Sequence, residues 1–358
     1  MTLSKNKILA INPGATSTKI AVYEEDQLLF KKTIEHSIES LKQFPKLFDQ
    51  YQYRLDLILR ILEKENTQLK TLTAIVGRGG LLKPLAGGTY RVNEKMIEDL
   101  KVADQGEHAS NLGAVIAANL GNQLNIPAFI VDPVSVDEME PVARISGLAD
   151  LRRISLSHAL NMKAVARKIA KEIGKNYEEV NFIVVHLGSG VSVTPHKKGK
   201  MIDVNNAKAE GPFSPDRCGG LPADQLVKLC FSGRYTYDEL REKLMNKGGL
   251  YSYFGTTDLR QVEAMATNGD LQADIVLEAL AYQVAKEIGA MATVLMGQVD
   301  RIILTGGIAY SKRIVADITK RVKFIAPVVV VAGEEELESL ALGALRVMRG
   351  EEVAAQYS

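Results

Sequence analysis

Two short turns carry the residues best suited to chemistry. The first, Asn12-Pro13-Gly14-Ala15-Thr16-Ser17-Thr18-Lys19, combines a glycine, hydroxyls and an ammonium group. The second, His186-Leu187-Gly188-Ser189-Gly190, sets two glycines behind an imidazole. A phosphate is held by converging backbone N–H groups, and glycine admits it closely because no Cβ stands in the way. Neither turn ends in the Gly-Lys-Ser/Thr of a P-loop, and each is followed by a strand pattern where a P-loop has a helix. Taken singly, such a turn is ordinarily a plain hairpin. Two at matching places could grip one polyphosphate. A third segment, Thr305-Gly306-Gly307-Ile308-Ala309, ends an apolar strand pattern and opens a helix at Ser311. Small residues there would let a base or ribose lie against the backbone.

Charged residues at strand ends and among glycines form a second group. Arg78 lies in Gly77-Arg78-Gly79-Gly80, Asp132 closes Ala-Phe-Ile-Val-Asp before Pro133, and Arg217 lies in Pro215-Asp216-Arg217-Cys218-Gly219-Gly220. Asp258 and Arg260 follow Gly255-Thr256-Thr257. Arginine forks match carboxylate and phosphate oxygens in pairs, so Arg78 and Arg217 suit a substrate carrying either group. Asp132 and Glu335 are candidates for Mg²⁺, held largely through waters. Of the histidines, His186 is the one expected in a site. His108 and His158 begin helical patterns, where capping or core packing is the plainer role, and His36 and His196 read as surface residues. Cys218 reads as packing beside Arg217, not as a nucleophile.

Composition narrows the partners. Lys plus Arg number 44 against 43 Asp plus Glu, for a formal charge of +1, which gives no electrostatic reason to expect nucleic acid or an anionic membrane. Apolar residues are 46% and charged residues 24%, ordinary values for a globular protein. The two cysteines lack metal-ligand spacing, which argues for a reducing compartment and against a structural zinc. The opening residues show no signal-peptide core, and the longest apolar run, 325–332, is far below the ~20 residues that span a bilayer. A cytoplasmic protein is expected.

The elements that position these residues repeat. Residues 7–34 read strand, glycine turn, strand, polar turn, strand, and 181–205 read the same way, with Asn12 and Gly14 matching His186 and Gly188. Each unit is followed by a glycine-ended strand, at 72–80 and 301–309. Ala159, Met162, Ala166, Ile169 and Ile173 lie on one helix face, and 271–297 and 336–348 are predicted helices. A chain of 358 residues has room for two domains. They are expected at 1–150 and 151–335, with a C-terminal helix in 336–358 packing back on the first. The fold class is α/β.

Ile-Leu-Ala-Ile-Asn-Pro-Gly-Ala-Thr-Ser-Thr-Lys, Val-Gly-Arg-Gly-Gly, Phe-Ile-Val-Val-His-Leu-Gly-Ser-Gly, Pro-Phe-Ser-Pro-Asp-Arg-Cys-Gly-Gly, Phe-Gly-Thr-Thr-Asp-Leu-Arg and Leu-Thr-Gly-Gly-Ile-Ala-Tyr-Ser, in this order, resemble the acetokinase family along essentially the whole chain. The resemblance implies two ribonuclease-H-like domains of the acetate and sugar kinase/actin superfamily around a nucleotide cleft. It also implies ATP and ADP, Mg²⁺, reversible γ-phosphoryl transfer to a short-chain carboxylate, and a homodimer or larger assembly. By position it assigns Asn12, Ser17 and Lys19 to a phosphate and metal turn, Arg78 to the acyl carboxylate and Asp132 to a proton donor. Arg217 and His158 take the transition-state roles, His158 one residue off the family's spacing from Arg152-Arg153. His186, Gly188, Ser189 and Gly190, then Asp258 and Arg260, then Gly306, Gly307 and Ile308, fall in ATP segments. Glu335 matches the metal-site glutamate, with Glu336 one register on. Acetate kinases carry serines where this chain has Ala15-Thr16-Ser17, Asn at Ser189, and Glu-Asn at Tyr310-Ser311. Gly80 replaces a valine near the acyl arginine, from which a longer pocket and a preference for a four-carbon acid are expected. A sugar kinase of this fold would need Asp132 as a base, and an actin-like nucleotide sensor would not need two arginines aimed at an acceptor.

Overall fold

The computed structural model describes residues 5–358. Its strands run β1 Lys7–Pro13, β2 Ser17–Glu24, β3 Gln27–Glu35, β4 Ala74–Arg78, β5 Thr89–Arg91 and β6 Ala128–Val131. They continue as β7 Asn181–Leu187, β8 Val191–Lys197, β9 Lys200–Met201, β10 Arg301–Gly306, β11 Val328–Ala332 and β12 Ala355–Gln356. Two compact units result. One runs to Val136 and takes up Glu335–Ser358, and the other comprises Asp137–Glu334. The division falls before the expected boundary near 150 because 137–140 is tied into the second unit. There Glu138 accepts from the Met201 N–H at 2.8 Å and pairs at 2.9 Å with the buried Lys163 ammonium, while the Glu140 N–H donates to the Ile202 carbonyl.

The two sheets share one plan. The first is ordered β12-β5-β6-β4-β1-β2-β3 and the second β11-β10-β7-β8-β9. In each, a three-strand antiparallel meander (β1-β2-β3, β7-β8-β9) adds two parallel strands beside its first member, β4 and β6 in one, β10 and β11 in the other. That is the ribonuclease-H-like order, twice. The registers also agree: Asn12 faces Lys19 across β1 and β2, and His186 faces Ser192 across β7 and β8. The central strands are near-continuous apolar runs because both faces are covered. In the first unit Leu9, Ile11, Ile20 and Val22 pack under the Tyr51–Lys64 and Asn111–Leu124 helices, and Glu336–Met348 lies on β1. In the second, the Leu271–Val294 helix fills one face, started by Asp270 accepting from the Gln272 and Ala273 N–H groups, and Ala159–Glu172 covers the other. Among the described residues no helix is long and apolar enough to cross a membrane.

Glycines set how closely these layers approach. A Cβ on Gly113 would overlap the Arg78 carbonyl, and one on Gly77 the Gly113 carbonyl. The Asn111–Leu124 helix therefore meets β4 backbone to backbone, which fixes where the strand ends and Arg78 departs. Gly113→Ala is expected to lower unfolding stability by about 1–3 kcal/mol, as overpacking does. Gly147→Ala, where a Cβ meets nothing within 4 Å, serves as the neutral control. Equal urea midpoints for the two variants would contradict the packing.

Candidate functional site

In the first unit the site residues gather at the carboxyl ends of β1, β4 and β6, where open α/β sheets bind ligands. The Gly14 N–H donates to the Ser17 carbonyl at 2.7 Å and closes the turn that joins β1 to β2, leaving Ala15, Thr16 and Lys19 exposed. Asn12 is buried and its Nδ2 donates to Glu336 Oε2 at 2.6 Å. The other Glu336 oxygen pairs with the Arg78 guanidinium. Arg78 lies next to Val131 in register, so Asp132 stands at the neighbouring strand end. Asp132 is 1% exposed and adopts φ +36°, a strained conformation for a residue with a side chain. Gly88 fixes it from both sides: its N–H donates to Asp132 Oδ1 at 2.7 Å, and its carbonyl accepts the Asp132 N–H at 3.0 Å.

Of the two candidate glutamates, Glu336 and not Glu335 is the one that meets Asn12. Glu335 is two-thirds exposed and pairs with Lys31 at 3.3 Å, whereas Glu336 joins Asn12 and Arg78. The reason is helical phase, since Glu336 starts the helix that packs on β1 and Glu335 lies just before it. Among the described residues no group of three or more His, Cys, Asp or Glu gathers as a cage. One carboxylate with a neighbouring amide oxygen fits Mg²⁺, which usually takes one or two carboxylates and completes its shell with phosphate oxygens and waters.

Gly80 does not open a pocket. A Cβ there would overlap Asn111, whose Oδ1 accepts the Leu81 N–H at 2.9 Å. The missing side chain admits the start of a helix, and the expectation of a longer acyl pocket at this position is overturned.

In the second unit the β7–β8 turn closes through the Gly188 N–H to the Gly190 carbonyl at 3.2 Å, and the Ser189 carbonyl accepts from the Ser214 hydroxyl. Ser189 itself is exposed. A Cβ on Gly190 would overlap the Arg217 guanidinium, so this glycine seats the arginine directly behind the turn. Arg217 donates to the Ala207 carbonyl at 3.5 Å and stands 3.9 Å from Asp216. Burial lifts the Asp216 carboxyl above its usual range, with Arg217 and the Ser214 hydroxyl opposing it. Arg217 also lines a cavity of about 440 Å³ with Lys208 and Arg241. Burial, then the charges of Arg217 and Arg241, push the Lys208 ammonium below its usual range, and Asp238 and Glu242 line the same cavity.

His158 and His186 come together. Their rings stack at 3.8 Å with planes 11° apart. Ser192 Oγ lies 3.0 Å from His158 Nδ1, while Asn161 Oδ1 and Glu334 Oε1 stand 2.9 and 3.1 Å from the two nitrogens of His186. At the third segment Gly306 and Gly333, at φ +89° and +93°, exchange backbone hydrogen bonds that knit β10 to the end of β11. A Cβ on Gly307 would meet nothing, leaving room over the backbone, whereas the Ile308 side chain turns into the core and offers a ligand only its main chain. Asp258 and Arg260 hold each other at 2.7 and 2.9 Å at the start of the Leu259–Thr267 helix, and Arg260 lowers the Asp258 carboxyl.

Two histidines read as surface residues are buried. His196 lies between the Tyr177 and Thr194 hydroxyls at 2.7 Å each, and burial drives it well below its ordinary range. His36 is 4% exposed and 2.8 Å from the Thr18 hydroxyl. Each is hidden by a partner distant in sequence, Thr18 for His36 and Tyr177 for His196. The residue missed altogether is Arg54, completely buried, whose guanidinium reaches the carbonyls of Gly14, Ala15 and Ser17. Its signal was present: Arg54 shares the buried stripe of its helix with Leu55, Ile58 and Leu62.

Two ribonuclease-H-like units, each with a glycine turn after its first strand, define a member of the acetate and sugar kinase/actin superfamily. Residues 149–334 match the model of the acetokinase family. Butyrate kinase 1 of Clostridium acetobutylicum is 55% identical over 352 residues, 98% of this chain and 99% of that protein. The solved acetate kinase of Porphyromonas gingivalis has a TM-score of 0.80 at 18% identity, covering 96% of this chain and 100% of its own. A propionate kinase of Francisella tularensis has 0.73 at 19%, covering 94% and 98%. At such identities the structures speak for the fold. The family model and the close relative decide membership: the chain belongs to the acetokinase family and is a carboxylate kinase.

Burial, then the charge of Arg54, lower His36 from an ordinary 6.5 to about 4. The unfolded chain therefore takes up this proton first, so the stability is complete above about pH 6.5 and is lost as pH falls towards 4. His36→Gln is expected to lose less stability than the parent across that window in urea titrations. An identical loss would place the effect elsewhere.

Proposed function

We propose that the chain phosphorylates butyrate with ATP, reversibly, giving butyryl phosphate and ADP, and that it does so in the cytoplasm as a homo-oligomer without nucleic-acid or membrane partners. The observation that carries the reading is 55% identity to a butyrate kinase along 98% of the chain. Arg78 at the end of β4 and Arg217 behind the β7–β8 turn support it, because guanidinium groups suit carboxylate and phosphoryl oxygens.

A short carboxylic acid has a pKa of about 4–5 and is ionised at neutral pH. Its own oxygen is the nucleophile, so no general base is needed, and Asp132, whose Oδ1 is held by Gly88, serves to fix the strand end. The difficulty is electrostatic: an anion must attack a phosphate. Arg78 orients the carboxylate in two-pronged fashion. Ser17, Lys19 and the amides of the first turn bind phosphate oxygens. The Gly188–Gly190 turn binds the nucleotide phosphates, and Gly306 and Gly307 give room for the nucleoside. Arg217 and His158 offset charge that grows on the transferring group. Glu336 and Asn12 are assigned to Mg²⁺, whose charge, when bound, offsets that of the β- and γ-phosphates.

Hydroxylamine trapping with ATP, Mg²⁺ and a panel of linear and branched acids is expected to give product that peaks with butyrate, and no product with any acid would overturn the assignment. Arg217→Ala is expected to lower kcat on the order of 10²–10³ while the Kd for ATP shifts far less. Near-normal turnover would remove Arg217 from the reaction.

A further inference from the structure

The first-turn arginine is unusual in what surrounds it. Arg54 is completely buried, and its hydrogen-bond partners among the described residues are all neutral. Nη1 donates to the Gly14 carbonyl at 2.9 Å, the Ser17 carbonyl at 3.2 Å and the Thr18 hydroxyl at 3.1 Å. Nη2 donates to the Ala15 carbonyl at 3.1 Å and to Gln50 Oε1 at 2.9 Å, which also accepts from Nε at 3.2 Å. Among the described residues no carboxylate takes part. Guanidinium keeps its proton in proteins, so among these residues this is a buried cation without a counterion. Such a charge is costly, and its cost falls when an anion arrives nearby.

The geometry indicates where that anion would sit. In a trans peptide the carbonyl of one residue and the N–H of the next point in opposite directions. With the Gly14 and Ala15 carbonyls drawn in to Arg54, the N–H groups of Ala15 and Thr16 are turned out. Among the described residues neither of these N–H groups donates to a protein acceptor, and both residues are exposed. The neighbouring imidazole adds no second charge. The Thr18 hydroxyl that accepts from Arg54 also lies 2.8 Å from His36 Nε2, and burial and the Arg54 charge lower that imidazole to about 4, so the ring is neutral at neutral pH.

We infer that Arg54 is the positioning residue of the first phosphate turn, aiming its amides outward at a polyphosphate and supporting that anion with an uncancelled charge from behind. This rests on the nucleotide reading above. A residue that merely filled space would affect every ligand alike, whereas this role is selective for phosphate.

The test uses the full chain, inorganic tripolyphosphate as a competitor of ATP, and adenosine as the phosphate-free control. Arg54→Met keeps the volume and removes the charge. Arg54→Lys keeps the charge without the planar fork that spans several carbonyls. In folded Arg54→Met, tripolyphosphate and ATP are expected to bind about tenfold more weakly or worse, with adenosine affinity and the KM for butyrate within about twofold of the parent. Arg54→Lys should fall between the two. The loss in Arg54→Met should also be larger at low salt, since the missing interaction is a charge. Unchanged tripolyphosphate affinity in the Met variant, or a parallel fall for adenosine, overturns the assignment. Should the Met variant not fold, the Lys variant decides, and parental tripolyphosphate affinity there overturns it equally. A parent protein that binds neither ATP nor tripolyphosphate overturns the nucleotide reading, and this inference with it.

Discussion

An enzyme that joins a carboxylate to a phosphate must hold cations in place where two anions meet. The arginines of this chain are restrained in three different ways. Arg78 is paired with Glu336, a carboxylate shared with Asn12. Arg54 is gripped by carbonyls, a hydroxyl and an amide, with no carboxylate among the described residues. Arg217 leans on a glycine and a carbonyl, with Asp216 3.9 Å away and raised by burial. The first keeps an arginine in place with a group that also suits a metal. The second sets a buried positive charge behind a glycine turn, and the third sets a guanidinium behind another.

The sheets set the two glycine turns and the strand-end residues. Two meanders of identical order deliver two turns from equivalent strands, and parallel strands beside them deliver Arg78, Asp132 and the Gly306 segment. Close packing then fixes depth. Gly77 and Gly113 let a helix touch β4, Gly80 admits Asn111, and Gly343 lies against Val131, where a Cβ would be 2.6 Å from a methyl carbon. Each is a place where one methyl group would force its neighbours to shift.

Much of this was legible in the sequence because it is periodic or local. The repeated strand–turn–strand pattern disclosed the duplicated sheet, and the apolar spacing from Ala159 to Ile169 disclosed its helix. Arg78 and Arg217 were legible because charge among glycines has few other uses. What escaped depends on three-dimensional facing. Glu335 and Glu336 are neighbours in sequence, but only one lies on the helix turn against β1. Gly80 read as an absent pocket wall, when its missing side chain faces a helix start. His36, His196 and Arg54 are buried polar groups whose partners lie on other elements. The boundary at Val136 depends on a buried Glu138–Lys163 pair that no composition shift announces.

The central claim is that the substrate's own carboxylate oxygen attacks phosphorus directly, aided by charge and not by a phosphorylated side chain. The stereochemical course at the γ-phosphorus tests this most directly, with ATP made chiral there by oxygen isotopes and butyrate as acceptor. A single in-line displacement inverts the configuration, and inversion is the predicted result. Retention would require two displacements through a phosphorylated enzyme group, and would contradict the account.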